Sequence, residues 1–576
     1  MIARVARQLE IPRRLRAIVR ARESSLIALA ALVGVIAGLV VAAMGTAVDL
    51  LHQVFFHLAP GERLSARLTL DPALAISVPL LGGLVFGGGY ELIKRWRPDR
   101  EIDPIEANAL HGGRMSLIGS LLVAAQTIWS SGVGAAVGLE AGYTQLASGI
   151  ASRVGMAFHL RRGDLRILVG CGAAAGIAGA FGAPLAGAFY GFELILGSYT
   201  PSSLAPVGIA ALIGFLVAHS LAPAELGIVA PEKTTVVARD LVLAGTIGLL
   251  AAFVGIFMMR GVALCESVFA RLRWRPALRT MFGGLVVGLL ALESPQVMSS
   301  GHGALRVAGM LDLSFETVAM LFVFKILASI ASLGSGFRGG MFFSSLLIGA
   351  LGGHVLAVAL TMVWPTTYFD PNAYAVIGGP LTMIFVALES TGNLWLTAAV
   401  LIAVIISAQV TRELFGYSFA TWRFHLRGES IRSAADIGWM RDLTVGRMMR
   451  EDVQTVNVAT NMDVFREAFP LGSSAYVIAV DEAERYVGMI QIADAYAADA
   501  SHDTIKSYLH YTEEMLLPGM SVKEAVLAFD RAEAEALAVV DSYLDRRVIG
   551  ILTEAYVLRR YSAALERRRQ ELLGEE

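Results

Sequence analysis

Charged residues and cysteine are both scarce in this chain of 576 residues. Asp, Glu, Lys and Arg make up 17% of it, against roughly 25% in an average soluble domain. Hydrophobic residues make up 55% and the mean hydropathy is +0.61, which excludes a disordered chain and argues against a purely soluble one. The only cysteines, Cys171 and Cys265, have no metal-ligand spacing, which argues against a disulfide framework or zinc site. The net charge of −2 gives no sign of a nucleic-acid partner.

The few charges are unevenly distributed along the chain. Glu140 is the only charged residue in 115–152, and Glu193 is the only one in 167–224. Beyond residue 427 the sequence is dense in Arg, Asp and Glu. This pattern predicts a polytopic membrane domain followed by a soluble cytoplasmic domain.

Five segments follow from this distribution. They are a basic amphipathic helix on the cytoplasmic membrane surface (1–23), an all-α transmembrane domain (24–428), a linker (429–440), a pair of similar α/β units (441–562) and a charged tail (563–576). The arginines of the first segment place the N-terminus in the cytoplasm. We therefore expect a multi-pass protein of the inner (plasma) membrane with both termini cytoplasmic.

Glycines interrupt many of the apolar segments in 24–428, and five of them fall within residues 170–182. Several of these segments are also shorter than the roughly 20 residues that a straight span needs. Helices that end inside a membrane have this pattern, because their N-termini aim backbone N–H groups at an anion site near the midplane. The alternative is that the glycines only let helices pack closely.

Glu140 is the first candidate for a functional residue. An unpaired carboxylate at mid-membrane costs at least about 2.5–3.5 kcal/mol, so it needs a cavity, a partner or a proton. Gly138 and Gly142 flank it and let the backbone present bare amides. Such a carboxylate can occupy the place of a permeating anion and swing away when protonated. The alternative is a glutamate at a helix end that faces water.

Four segments carry a pattern that goes beyond composition. They are Gly138–Gly142 (GLEAG), Gly172–Gly187 (GAAAGIAGAFGAPLAG), Gly339–Ser344 (GGMFFS) and Leu414–Phe419 (LFGYSF). In this order they resemble the CLC family of chloride channels and chloride/proton antiporters, and the pair of units in 441–562 resembles tandem CBS domains. The resemblance implies two inverted membrane repeats with broken helices, and a homodimer with one pore per subunit.

The resemblance also assigns roles to individual residues. Glu140 would be the external gate and proton acceptor. The anion would be bound by backbone amides around Leu139, Glu140 and Ala141, by those of Met341 and Phe342, and by the hydroxyl of Tyr417. For the Phe342 ring we expect ordinary packing. Tyr417 has the alternative of an interfacial tyrosine.

Two stretches depart from the family pattern. Leu194 stands where antiporters carry an internal proton-relay glutamate, while the neighbouring Glu193 matches a glutamate for which we expect a structural role. Leucine cannot carry a proton, so this favours a channel or a loosely coupled transporter. The segment Arg100–Pro104 (REIDP) aligns with the first signature of the family, and the resemblance places Glu101 near the serine that binds the central anion, with Asp103 two residues later.

The acidic residues of the first signature have three interpretations. They point to the cytoplasm and pair with Arg95, Arg97 and Arg100, which we favour; or one is protonated and donates to the anion; or the pore carries something other than chloride.

The CBS-like pair has its own candidate site. Adenine nucleotides bind such pairs through a hydroxyl and an aspartate. One unit has the aspartate, Asp494, but not the hydroxyl. The other unit has the hydroxyl, Thr553, but not the aspartate, so each site is half complete. The alternative is a dimerising scaffold without ligand, and we expect no cofactor to be required for transport.

The sequence thus predicts membrane transport of chloride or another small anion, with proton-dependent gating. The alternatives are a tightly coupled antiporter of fluoride, nitrate or bicarbonate, and a CBS-based membrane sensor with an inert pore. The His-Glu-x-x-His and Gly-x-Ser-x-Gly motifs do not occur, so we do not expect an enzyme.

Overall fold

A computed structural model describes residues 23–98, 100–222, 238–310, 314–366, 369–370, 373–374, 383–416, 444–497, 504–560 and 563. The chain forms two compact units, Met1–Ala435 and Asp436–Glu576. Four of the predictions lie outside the described residues: the helix in 1–22, Tyr417, the linker 429–440, and the tail except for residue 563.

The first unit is helical in its described part. Its α-helices are α1 Glu23–Phe56, α2 Pro72–Trp96, α3 Pro104–Leu110, α4 Leu117–Gly132, α5 Glu140–Ala157, α6 Arg162–Phe181, α7 Pro184–Tyr190, α8 Pro201–Leu221, α9 Ala238–Arg271, α10 Pro276–Glu293, α11 His302–Met310, α12 Phe315–Ser335, α13 Phe342–Val363, α14 Met383–Thr391 and α15 Leu394–Phe415. Short 3-10 helices cover Leu64–Ala66 and Pro295–Val297, and a π-helix covers Gly191–Leu196.

Nine helices in the described ranges are long and apolar enough to cross a membrane: α1, α2, α6, α8, α9, α10, α12, α13 and α15. The prediction of a polytopic all-α domain is confirmed. Helix α5 was not predicted, because its buried face carries polar side chains such as Thr144, Gln145 and Ser148. A helix that packs against protein rather than lipid does not need the continuous apolar run of a simple span.

The breaks between helices have local causes. Asp103 precedes Pro104 and accepts a hydrogen bond from the Ile105 N–H at 2.8 Å, which starts α3. Helix α6 ends at Gly182, whose φ of 63° suits glycine. Pro184 then begins α7, because proline is favoured in the first turn of a helix. The helices therefore end and restart within the apolar unit, as the glycine pattern predicts.

Small residues bring the central helices together. A Cβ added at Gly172 on α6 would lie 2.6 Å from the carbonyl oxygen of Ala147 on α5. At Gly214 on α8, an added Cβ would lie 2.7 Å from the carbonyl oxygen of Ala175. Any larger residue would push these backbones apart, so close packing accounts for part of the glycine content.

The second unit is α/β. It contains α16 Val445–Met448, β1 Thr455–Asn457, α17 Met462–Ala468, β2 Tyr476–Val480, β3 Tyr486–Gln491, α18 Ile492–Ala497, α19 Val522–Ala532, β4 Ala536–Val540 and β5 Val548–Thr553. Strand β2 pairs in parallel with β1 and antiparallel with β3, and β4 pairs antiparallel with β5. The two modules share a core in which Ile478 and Met489 meet Ala538 and Val540. This is the small α/β pair that the sequence predicts as tandem CBS domains.

Candidate functional site

The N-termini of two long helices from opposite halves of the first unit meet at a pair of glycines. Gly138 precedes α5, and Gly340 precedes α13. Each N–H donates to the carbonyl oxygen of the other, at 2.8 and 2.9 Å. A side chain at either position would overlap the Glu140 carboxylate where it now lies, so the two glycines leave room for it. Because a helix N-terminus carries free N–H groups and a partial positive charge, this junction suits an anion.

The Glu140 carboxylate occupies that junction. Glu140 is the first residue of α5 and is only 6% exposed. Its Oε1 accepts a hydrogen bond from the Phe343 N–H in the first turn of α13, at 2.8 Å. Its Oε2 is buried, and the described part of the chain offers it no hydrogen-bond partner. The carboxylate thus takes the position that an anion would need at the start of α13.

Aromatic rings pack around this helix start. The ring of Phe181, at the end of α6, contacts those of Phe342 and Phe343 with centroid distances of 4.6 and 5.7 Å. The His302 ring stacks on Phe343 from the other side, at 3.4 Å. The Phe342 ring is therefore placed as a packed aromatic, while its backbone lies at the N-terminus of α13.

Serine hydroxyls hold the loops that lead to the junction. The Ala136 N–H donates to Ser332 Oγ at 2.9 Å, and Ser329 Oγ donates to the Ala136 carbonyl at 3.3 Å. On the other loop, the Arg338 N–H donates to Ser130 Oγ at 3.2 Å. These bonds fix both loops to α4 and α12, so the two helix starts are held by rigid elements.

Lys325 is a buried charge that the sequence reasoning missed. It lies on α12 with no exposed surface, and its Nζ donates to the carbonyl oxygens of Val297 and Ser299 at 3.0 and 2.7 Å. It is close enough to Glu140 for a favourable electrostatic interaction. The signal was available, since Lys325 is the only charged residue in 317–337. An ionisable residue inside a membrane helix is a functional candidate by default.

One acidic residue of the first signature, Glu101, has a partner other than those expected. Glu101 Oε2 lies 3.6 Å from Nη1 of Arg338, on the loop before α13, so the expected pairing of Glu101 with Arg95, Arg97 or Arg100 is wrong. Arg100 instead contacts Glu106. Asp103 is the N-cap of α3, as described above.

Glu193 and Leu194 are both partly exposed and lie in the π-helix. This turn is tied to α3, because the Asn108 side-chain amide donates to the Ile195 carbonyl at 3.2 Å. Single π-helical turns occur often at functional sites. The sequence singled out these two residues but did not predict the π-helical conformation.

The candidate nucleotide residues, Asp494 and Thr553, belong to the second unit. In α18, Asp494 Oδ2 lies 3.0 Å from His510 Nε2. Thr553 ends β5, opposite Ala536 of β4. Asp494 thus has a protein partner where a ribose would need its carboxylate.

Sequence comparison agrees with this architecture. A family model described as "Voltage gated chloride channel" matches residues 92–412, which include both glycines of the junction, Gly138 and Gly340. The chain belongs to the CLC family. A CLC relative from Salmonella typhimurium, described as "Voltage-gated ClC-type chloride channel ClcB", is 30% identical over 404 residues, covering 67% of this chain and 95% of that protein. The ClcB protein of an Escherichia coli strain is 30% identical over 400 residues with the same coverage.

Solved CLC structures share the fold. A slow cyanobacterial Cl⁻/H⁺ antiporter matches with a TM-score of 0.61 at 22% identity, over 70% of this chain and 97% of its own. A CLC-type fluoride/proton antiporter matches with a TM-score of 0.52 at 20% identity, over 68% and 96%. A eukaryotic CLC transporter matches with a TM-score of 0.54 at 18% identity, over 94% of this chain and 98% of its own. That last match extends into the C-terminal unit.

Proposed function

We propose that this protein conducts chloride across a membrane through a CLC-type pore that opens when Glu140 is protonated. The observation that carries the proposal is the Glu140 carboxylate on the Phe343 N–H, with its second oxygen buried and unpartnered. A charged carboxylate there competes with an anion for the same N–H group. A protonated one is a weaker acceptor and leaves the site to the anion.

Coupling of chloride to protons is weak or absent in this proposal. Leu194 stands where a relay carboxylate would be, and an alkyl side chain neither accepts nor donates a proton. The name of the ClcB relatives, voltage-gated chloride channels, supports the same choice.

A tightly coupled anion/proton antiporter is the second candidate. Two similar folds are described as Cl⁻/H⁺ and fluoride/proton antiporters, and Glu193 lies beside Leu194 in the π-helix. We rank this function second because Glu193 is one residue away from the position of the relay glutamate and would have to carry the proton from there.

Liposome reconstitution tests the proposal. Anion efflux and proton movement are recorded together, with chloride, fluoride, nitrate and bicarbonate compared in turn and protein-free liposomes as the control. We expect chloride flux with little proton movement. A fixed ratio of protons to anions would show that the protein is a coupled antiporter. The absence of any anion flux would favour the membrane sensor with an inert pore.

The remaining parts of the proposal concern assembly and location. We propose a homodimer with one pore per subunit, in the inner membrane, with both termini in the cytoplasm and without enzymatic activity. For the C-terminal unit we propose a scaffold role, with an adenine nucleotide at Asp494 and Thr553 as the alternative. Calorimetric titration of the purified full chain with ATP separates the two.

A further inference from the structure

An ion pair joins the segment before α3 to the loop before α13, and only the second of these takes part in the anion junction. Glu101 belongs to the segment before α3, and Arg338 lies two residues before Gly340. Their charged atoms are 3.6 Å apart, which is beyond hydrogen-bond range but within that of an ion pair. The Glu101 side chain is 18% exposed and that of Arg338 is 34% exposed, so both groups remain within reach of solvent and of ions.

The position of Arg338 is fixed by its backbone. Its N–H is bound to Ser130 on α4, and the chain continues through Gly339 into the hydrogen-bonded pair of Gly138 and Gly340. The backbone of Arg338 is therefore held two residues before Gly340, and its guanidinium reaches Glu101 from there. It presents several N–H donors and keeps its charge at every physiological pH.

The pair sets the negative charge of Glu101 against the positive charge of Arg338. Alone, Glu101 would repel an approaching anion. Facing Arg338, its charge is compensated.

We propose that Arg338 is a second anion-binding residue and that Glu101 is its tethered competitor. A permeating anion would displace the Glu101 carboxylate from Arg338, as an anion displaces the Glu140 carboxylate from the Phe343 N–H. The inference rests on the proposed anion transport and adds a site to it. The simpler role to be tested against it is a clamp between the two loops.

The test uses the reconstituted full-length protein and the dependence of chloride flux on chloride concentration. Glu101→Gln removes the competitor, so the half-saturating concentration should fall several-fold. Arg338→Gln leaves the carboxylate without a counter-charge, so that concentration should rise by about tenfold with little change in maximal flux. Arg338→Lys should restore most of the affinity because it keeps the charge.

Ionic strength and stability separate binding from a clamp. The difference between wild type and Arg338→Gln should shrink when an impermeant salt screens the site. Glu62→Gln is the control, since it breaks an exposed pair with Arg67 in a loop outside the membrane helices. We expect it to change neither flux nor affinity.

Two results would overturn the inference. If Glu101→Gln and Arg338→Gln lower the melting temperature and maximal flux alike, with unchanged half-saturation, the pair is a clamp. If half-saturation is unchanged while flux and melting temperature stay at wild-type values, the pair has no part in transport. Absence of flux in the wild type would instead refute the proposed function, and this inference with it.

Discussion

The Glu140 carboxylate is bound on one side only. Oε1 has the Phe343 N–H, whereas Oε2 is buried without a partner in the described structure. A buried polar atom left unsatisfied costs about 1–3 kcal/mol. The side chain is therefore held less firmly than a fully bonded carboxylate would be, which suits a group that must leave its site.

Replacing Glu140 by glutamine should abolish the pH dependence of anion flux. Glutamine has nearly the shape of protonated glutamic acid, and it carries no charge with which to compete for the anion site. We expect high flux at every pH for Glu140→Gln, and wild-type flux that rises as the pH falls. Chloride efflux from liposomes is measured for the variant and the wild type between pH 4.5 and 7.5. This range of about three units spans the ordinary pKa values of carboxyl and histidine side chains.

Glu62→Gln is a suitable control for this experiment. Hydrogen bonds from the Ala59 N–H and from Arg67 hold the pKa of the Glu62 carboxyl below its usual range, so this exposed group stays charged through most of the pH range. It should keep the wild-type profile. A wild-type profile in Glu140→Gln as well would show that another group senses the proton.

Lys325 should set the strength of anion binding through its charge. Its two hydrogen bonds go to carbonyl oxygens, which are neutral, so the charge of the protonated amine acts on the nearby site. Loss of that charge in Lys325→Met should weaken chloride binding roughly tenfold, equivalent to about 1.4 kcal/mol. Isothermal titration calorimetry with chloride measures the affinity.

Lys325→Gln separates the charge from the hydrogen bonds. Glutamine still offers donors to Val297 and Ser299 but is neutral. If the charge matters, the Gln and Met variants lose affinity alike. If only Met loses affinity, Lys325 acts by holding the segment 297–299 in place, and the electrostatic interpretation is wrong.

At the scale of elements, the site is made by two helix starts rather than by side chains. Helices α5 and α13 come from the two halves of the membrane unit, and the Gly138–Gly340 pair joins them. The side chain from the start of one helix is bound by the backbone of the other. The site is therefore complete only when the two halves meet, as expected for inverted repeats.

The Phe343 N–H can be removed without breaking α13. Proline lacks an N–H and is tolerated in the first helical turn, where Phe343 is the second residue. In a Glu140→Gln background, in which no carboxylate competes, Phe343→Pro should weaken chloride binding by about tenfold or more, since hydrogen bonds to charged groups contribute about 1.5–3 kcal/mol.

Phe343→Ala is the matched variant for that measurement. It loses the same stacking with Phe181 and His302 but retains the N–H. Equal chloride affinities of the Pro and Ala variants, measured by calorimetry, would mean that this amide does not bind the anion.

The sequence predicted the site better than its surroundings. Glu140 and the glycines beside it stand out because a lone charge and bare backbone are rare in apolar segments. Helix α5 was missed because its polar side chains face other helices. The Glu101–Arg338 pair could not be foreseen, because its partners are distant in sequence and both meet only when the two halves of the unit pack.

At the scale of the whole molecule, proton coupling requires a continuous path between the two faces of the membrane. Glu140 can serve as one proton-accepting group. The π-helix contains a second carboxyl, Glu193, and beside it Leu194, at the position where the family resemblance predicts a relay glutamate in antiporters. The arrangement predicts that chloride and protons move largely independently in the wild type.

Installing a carboxyl at the interrupted position should create coupling. Leu194 is partly exposed, so the longer glutamate side chain has room at this position. We expect a chloride gradient to drive proton uptake in this variant, measured with a pH electrode during efflux from weakly buffered liposomes. Leu194→Gln has the same size and polarity but does not exchange protons in this range, and it should behave as the wild type does.

If both variants remain uncoupled while chloride flux persists, the missing relay is not what separates the two ions. If the wild type is already tightly coupled and Glu193→Gln abolishes the coupling, Glu193 carries the proton in place of the family's relay residue.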